Sequence, residues 1–137
     1  MIIPMLKGLG LTLSRFFSRP ITVQYPEEKI PPAPRWRGIH YFERDERGKT
    51  KCVACGLCMT VCPSQCIYIE TAEDGEGRRY PLTYELDASR CIYCGFCEEA
   101  CPVKAIFLGK TYEWVEVKRK PLVLDTEKLL EEKKLNP

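Results

Sequence analysis

The amino-acid sequence predicts a small α+β protein whose core is built from two copies of one unit, with an arm at each end. One pattern rich in cysteine occurs twice, at residues 52–69 and again at 91–108. Short apolar runs separated by turn residues follow each copy, which is the pattern of β-hairpins. The residues ahead of the first copy form a basic amphipathic segment and then a proline-rich stretch, which predicts a helix followed by extended chain.

Length, charge and cysteine content narrow the class of protein. A chain of 137 residues has room for one compact domain with arms. The 21 basic and 19 acidic residues nearly balance, so we expect no nucleic-acid partner. Nine cysteines fit a disulfide scaffold, a set of zinc sites or iron–sulfur ligation. The odd count and the lack of a secretory signal at the start argue against disulfides and favour a reducing compartment.

The first 19 residues predict a helix that lies on a surface. Leu6, Leu9, Leu13 and Phe16 recur on one helical face, and basic residues lie mostly elsewhere. The segment is too interrupted by charge and glycine to span a membrane. We expect it to lie on a membrane surface or against a partner, the alternative being a helix packed on its own domain.

The next stretch, residues 20–38, carries five prolines and is expected to run extended along a surface. Residues 1–38 are therefore predicted to form a helix and an extended arm that face a membrane or partner. His40 follows this arm as the single histidine of the chain, and we predict a structural role for it.

Residues 39–117 are predicted to form the cysteine-bearing core, with repeats near 43–72 and 82–111 related by a pseudo-twofold axis. Each copy would be a loop, a short helix and a hairpin. The predicted hairpins pair Ile67–Glu70 with Tyr80–Leu86, and Ile106–Leu108 with Glu113–Val117.

The charged residues 118–137 are predicted to form a C-terminal helical tail. A helix-start signal lies at Asp125–Thr126, and the helix is expected to run through Leu135. Its leucines either dock on a neighbour or belong to a frayed tail.

Both cysteine runs read C-x2-C-x2-C-x3-C-P, the spacing of bacterial ferredoxins that hold two [4Fe–4S] clusters. Three thiolates spaced three residues apart wrap one cluster, and the fourth points toward the other cluster. Zinc is disfavoured, because its structural sites usually use two separated cysteine pairs. The predicted ligands of cluster 1 are Cys52, Cys55, Cys58 and Cys101. The predicted ligands of cluster 2 are Cys91, Cys94, Cys97 and Cys62.

Two other features of the runs carry predictions. Gly56 and Gly95 follow the second cysteine of each run, where the backbone comes close to sulfur and φ > 0 is expected. The ninth cysteine, Cys66, corresponds to Ala105 in the second copy, so it is predicted to be a small buried residue and not a ligand. We find no nucleotide-binding, nucleophile or acid–base motif, which predicts a chain that transfers electrons and makes no bonds in a substrate.

The residues around the cysteines resemble a known protein family. Residues 22–70 and 79–109 resemble the ferredoxin-like subunit I (TYKY-type) of bacterial NADH–quinone oxidoreductase, respiratory complex I. The cysteine runs fit any two-cluster ferredoxin, whereas V-Q-Y-P-E-E at 23–28 and R-G-x-H-Y at 37–41 are specific to this subunit.

The resemblance implies an electron relay in a respiratory complex. The two clusters would pass single electrons toward the quinone-reducing cluster of an ion-translocating membrane complex, without quinone binding directly to the chain. The subunit would lie peripherally on the cytoplasmic side of the inner (plasma) membrane. Its partners would be other peripheral-arm and membrane-arm subunits, with residues 1–19 at the membrane surface. The alternatives are a soluble two-cluster ferredoxin and the ferredoxin-like subunit of a membrane-bound hydrogenase.

Overall fold

A computed structural model describes residues 2–132 of the chain. The chain divides into two compact units, residues 1–32 and residues 33–137. The expected end of the C-terminal helix, from residue 133 onward, lies outside the described residues.

The first unit holds the expected N-terminal helix, α1, which spans Ile2–Phe16. Arg15 lies in its last turn, where a positive charge interacts favourably with the helix dipole and stabilises the helix. All of its described side chains are exposed, and Leu9 and Phe16 keep 64% and 79% of their surface open. Residues 17–32 contain neither helix nor strand. Within residues 2–132, no helix combines the length and apolarity that crossing a membrane requires.

The second unit is a small α+β domain with five strands, three α-helices and a short 3-10 helix (Lys120–Leu122) just ahead of β5 among its described residues. In chain order the strands and α-helices are β1 (His40–Phe42), α2 (Leu57–Val61), β2 (Ile67–Glu73), β3 (Arg79–Asp87), α3 (Phe96–Glu99), β4 (Ile106–Leu108), β5 (Val123–Asp125) and α4 (Thr126–Glu132).

The strands form two antiparallel sheets. In one, β1 pairs with β4, and Phe42 lies opposite Ile106. In the other, the strand order is β2-β3-β5. Pro81 lies in a part of β3 that pairs with β2 only. Strand β5 pairs with β3 from Glu85 onward and does not reach the proline. The register shifts after Glu70, opposite this proline, as expected where a ladder donor is missing.

The predicted second hairpin is wrong. Strand β4 forms as expected, but its partner is β1 and not residues 113–117, which contain no strand. Segment His40–Phe42 supplies the buried side chain of Phe42 to the core, whereas Val115 and Val117 remain 89% and 101% exposed. Trp114 packs against the core, but the face that carries Val115 and Val117 has nothing to bury it, so this segment does not form a strand.

The C-terminal segment packs on this core. Leu124 on β5 is 1% exposed and Leu129 on α4 is fully buried. The backbone N–H of Lys128 donates to Asp125 Oδ1 at 2.9 Å, which satisfies a free donor of the first helical turn. The predicted helix start is confirmed, and the described part of the tail is not frayed: it packs on the core of its own domain.

The core lies between the two sheets and the cysteine loops. Phe42 and Tyr84 meet edge to face with ring centroids 4.8 Å apart, and Leu86 is fully buried beside them. Several cysteines belong to the same cluster of buried residues. A core that includes so many thiols places whatever those thiols bind at the centre of the domain.

Replacing Leu86 with alanine is expected to lower the free energy of unfolding by about 2–5 kcal/mol, because the removed atoms leave a cavity in a fully packed site. Leu82→Ala on the same strand is the control, because Leu82 is 64% exposed and its loss is expected to cost no more than about 0.5 kcal/mol. Denaturant unfolding of the two variants measures the difference. Equal losses would contradict this description of the core.

Candidate metal centres

Both cysteine runs adopt the same backbone turn ahead of a short helix. Gly56 and Gly95 precede α2 and α3 with φ of 76° and 85°, as the sequence predicts. Ala54 and Tyr93, which lie between the first two cysteines of each run, also have positive φ, at 48° and 52°. Such left-handed turns curl each loop, so that sulfurs three residues apart face one interior point.

Gly56→Ala is expected to cost about 1–2 kcal/mol, because alanine at φ 76° is strained even though no atom lies within 4 Å of the new Cβ. Gly75→Ala is the matched control, since that site is open and lacks a positive φ. It should be neutral or gain up to about 1 kcal/mol through the unfolded state. Thermal unfolding of the two variants tests this, and a Gly56→Ala variant as stable as Gly75→Ala would contradict it.

The first cysteine-lined cavity has a volume of about 330 Å³, part of which is open to solvent. Its other lining residues are almost entirely apolar, with Tyr84 the exception. Three of its cysteines come from the first run and one from the second. They are Cys52, Cys55, Cys58 and Cys101.

The second cavity encloses about 290 Å³ and repeats this arrangement with the runs exchanged. Its ligand candidates are Cys91, Cys94, Cys97 and Cys62. Cys66 and His40 also line it. The structure therefore brings together in two groups all eight cysteines singled out from the sequence.

These groups suit a polynuclear cluster better than a single ion. Among residues 2–132, no three His, Cys, Asp or Glu side chains converge as ligands of one metal ion. The cysteines instead surround a volume, and neither lining contains an acidic or basic residue apart from His40. A cube of iron and sulfide places its four thiolates around a volume of this kind, whereas tetrahedral zinc holds four ligands around one point.

Backbone donors already point at three of the sulfurs. The N–H groups of residues two or four positions downstream donate to Cys52, Cys91 and Cys101 at 3.4, 3.3 and 3.2 Å. Hydrogen bonds to sulfur stabilise a thiolate and are one means by which a protein sets the potential of a cluster. Because these backbone hydrogen bonds to sulfur are in place, the residues present fit [4Fe–4S] clusters.

Burial raises the pKa of the Cys52 thiol to about 11 and that of Cys97 to about 12. Without a metal these thiols are therefore protonated at neutral pH. Iron must displace the protons when it binds, so assembly releases acid and becomes more favourable as pH rises.

Two side chains from strands distant in the chain contact candidate ligand sulfurs, in addition to Ser64, whose hydroxyl lies 3.6 Å from Cys62 Sγ directly after the first run. The Tyr84 hydroxyl lies 3.7 Å from Cys58 Sγ, and His40 Nε2 lies 3.8 Å from Cys91 Sγ. Burial lowers the pKa of His40 to about 4, so the imidazole is neutral. Sequence reasoning gave His40 only a structural role and did not single out Tyr84. Nothing in a spacing pattern identifies a contact made across 26 or 51 residues.

Cys66 is buried, as the sequence predicts, but it is not remote from the ligands. Its sulfur lies 3.4 Å from Cys62 Sγ at the wall of the second cavity. Burial raises the pKa of its thiol to about 12. The first cavity has Ala105 at the corresponding place, so the two centres differ by one thiol.

The comparisons with known proteins agree with this site. The family described as "4Fe-4S dicluster domain" matches residues 51–105, so fold and site define a small α+β ferredoxin-like protein with two [4Fe–4S] clusters. NADH-quinone oxidoreductase subunit I 2 of Geobacter metallireducens is 46% identical over 131 residues, covering 96% of this chain and 99% of that protein. Subunit I 1 of Geobacter sulfurreducens is 46% identical over 133 residues, covering 97% of this chain and all of that protein. The chain belongs to the NADH-quinone oxidoreductase subunit I family.

Two further similarities extend the comparison. Subunit I 2 of Rhizobium meliloti is 52% identical over 124 residues, which cover 90% of this chain and 66% of that longer protein. Among solved structures, a chain of the membrane-bound sulfane sulfur reductase, an archaeal respiratory membrane complex, superposes with a TM-score of 0.55 at 31% identity. The match covers 80% of this chain and 55% of that one.

Proposed function

We propose that the chain is the electron-relay subunit of an NADH:quinone oxidoreductase. Single electrons pass through its two clusters toward the quinone-reducing cluster of an ion-translocating membrane complex. The observation that carries this proposal is the pair of cysteine-lined cavities in a chain of the subunit I family. The chain transfers electrons only, and substrate oxidation and quinone reduction take place on other subunits.

The proposed ligands are those of the crossed arrangement. Cluster 1 is held by Cys52, Cys55, Cys58 and Cys101. Cluster 2 is held by Cys91, Cys94, Cys97 and Cys62. The lining of each cavity supports this division, because each contains three cysteines of one run and the last cysteine of the other. When bound, each cluster supplies a one-electron acceptor and donor.

The two centres lie close together. Helices α2 and α3 pack against each other, and each carries a ligand cysteine, Cys58 and Cys97. Burial raises the pKa of Cys97, and the nearby sulfurs of Cys91 and Cys58 raise it further, which places Cys58 of the first run near Cys97 of the second. Proximity of this kind supports electron transfer between clusters within one subunit. The same left-handed glycine ahead of each helix supports a pseudo-twofold relation between repeats near 43–72 and 82–111.

The proposed location is the cytoplasmic face of the inner (plasma) membrane, as a peripheral subunit. The partners are other peripheral-arm and membrane-arm subunits, and no nucleic acid is bound. Residues 1–38 form the arm toward membrane and partners, 39–117 the cluster domain and 118–137 the tail. The apolar face of α1 supports this placement, because Leu6, Leu9 and Leu13 lie on one side of the helix and are all more than half exposed.

Membrane fractionation of the producing cell tests the proposal. The full chain is expected with membranes and with other subunits. A Leu9→Glu/Leu13→Glu variant should keep both clusters and lose this association. Ser14→Glu, to the side of this apolar face of α1, is the control and should remain bound. A chain that stays in the soluble fraction, unaffected by either change, is a mobile ferredoxin and contradicts the proposal.

A second candidate is the ferredoxin-like subunit of another respiratory membrane complex, such as a membrane-bound hydrogenase. The similarity to a chain of the archaeal sulfane sulfur reductase complex favours it. The complex that copurifies with the chain separates the two candidates. NADH oxidation coupled to quinone reduction supports the first, and hydrogen evolution without NADH oxidation supports the second.

A further inference from the structure

Each cluster cavity receives one polar side chain from a strand that carries no cysteine of the runs, and the second cavity also has Ser64, whose hydroxyl lies 3.6 Å from Cys62 Sγ. Tyr84, on β3, directs its hydroxyl toward Cys58 at 3.7 Å. His40, on β1, directs Nε2 toward Cys91 at 3.8 Å. Both residues are 1% exposed, so water does not compete for these contacts. The two donors lie on different sheets and meet different cavities.

The acceptor decides which atom carries the hydrogen at each of these contacts. A thiolate bound to iron accepts hydrogen bonds and donates none, so the phenol must donate to Cys58. The imidazole nitrogen that faces a thiolate carries a hydrogen, so Nε2 of His40 donates to Cys91 Sγ. His40 Nδ1 is buried without a hydrogen-bond partner among the described residues, so no other polar group there competes for the ring. Tyr93 lies against the imidazole at 5.5 Å between ring centroids and holds its orientation.

A donor at a ligand sulfur acts on the potential of that cluster. Reduction adds one negative charge to the cube, which spreads onto its thiolates. A hydrogen bond to sulfur therefore stabilises the reduced state more than the oxidised state and raises the potential. In a buried site this effect is larger than in water. Each donor contacts one ligand, so its effect falls mainly on one cluster.

We propose that His40 and Tyr84 are positioning residues that set the potentials of the two clusters separately, His40 at cluster 2 and Tyr84 at cluster 1. This inference rests on the ligand division given under the proposed function. It assigns a redox role to the single histidine of the chain and to a tyrosine of the core. An imidazole at one centre and a phenol at the other make the two clusters chemically unequal although their cysteine frameworks match.

A redox titration followed by electron paramagnetic resonance on the full chain with both clusters assembled tests this. His40→Leu is expected to lower one of the two reduction steps, and Tyr84→Phe the other, each by about tenfold in the reduction equilibrium, or about 59 mV for one electron. His40→Gln, which keeps an N–H donor, should recover part of the shift. The double variant should lower both steps.

The possible outcomes distinguish a failure of the proposed function from a failure of this inference. If the unmodified chain does not bind two [4Fe–4S] clusters, the proposed function fails. If both clusters are present and the two variants shift the same step, or shift neither, this inference alone is overturned.

If the His40→Leu variant does not assemble its clusters, a measurement on the chain without substitutions tests the assignment instead. Because the chain has one histidine, growth with 15N-histidine labels one residue. Pulsed electron paramagnetic resonance of the chain poised at each reduction step should detect 15N coupling at one cluster. Its absence at both clusters overturns the assignment of His40.

Discussion

Replacing Cys101 with alanine is expected to abolish the cluster held by the first cysteine run, although Cys101 belongs to the second run. Its sulfur lines the cavity of Cys52, Cys55 and Cys58. Removing it leaves one iron without a thiolate in a cavity where no spare thiol exists, because the residue four positions downstream is Ala105. Iron and sulfide content should fall by up to half, and the remaining signal should be that of cluster 2. Iron analysis and electron paramagnetic resonance measure both.

Cys66→Ala is the matched control for this experiment. Cys66 is also a buried cysteine close to a run, and it has no ligand role in the proposed division. Its replacement should leave the iron content unchanged. The mirror experiment is best done as Cys62→Ala in the Cys66→Ala background, since the Cys66 sulfur lies 3.4 Å from that of Cys62. A Cys101→Ala variant that loses cluster 2 and keeps cluster 1 would overturn the crossed ligation.

Removal of both clusters is expected to abolish cooperative unfolding of the domain. Helices α2 and α3 have five and four residues, which is too short for stability without packing. Their packing partners include the cysteines and the cavities of about 330 and 290 Å³ that those cysteines surround. In such sites the free energy of metal binding is also free energy of folding. A loss comparable with the whole stability of a small domain, about 5–15 kcal/mol, is expected.

Thermal unfolding followed by circular dichroism measures this loss, before and after iron chelation with thiols kept reduced. The control is the same treatment without the chelator. Restoring iron and sulfide should restore the transition. An apo chain that unfolds cooperatively within a few degrees of the loaded chain would show that the protein core alone carries the stability.

The candidate ligands could be named from the sequence because they lie at short, regular spacing. Three cysteines spaced three residues apart and followed by a fourth with proline behind it match the spacing of two-cluster ferredoxins, and the proline redirects the chain. The glycines at 56 and 95 were predictable for the same reason, since a loop that turns its sulfurs inward needs positive φ there. The first hairpin was predictable because its two apolar runs lie on either side of a turn and pair with each other as neighbours in the chain.

The second hairpin was not predictable in this way. Strand β4 has two candidate partners, residues 113–117 nearby and His40–Phe42 about 65 residues away along the chain, and local pattern favours the nearer one. Burial decides between them, because Phe42 reaches the core while Val115 and Val117 do not. The docking of Leu129 was left open for the same reason. Which apolar face is buried depends on what the rest of the chain places opposite it.

By itself, the sequence determined the cofactor class, the eight candidate ligands, the repeat and the family resemblance. These follow from residue types at short spacing, where covalent geometry restricts the outcome. Only the tertiary structure decided that β1 pairs with β4, that Cys66 lies against Cys62, and that His40 and Tyr84 each contact the sulfur of a candidate ligand. These contacts join residues far apart in the chain, and they form only once burial of the apolar faces has fixed the packing.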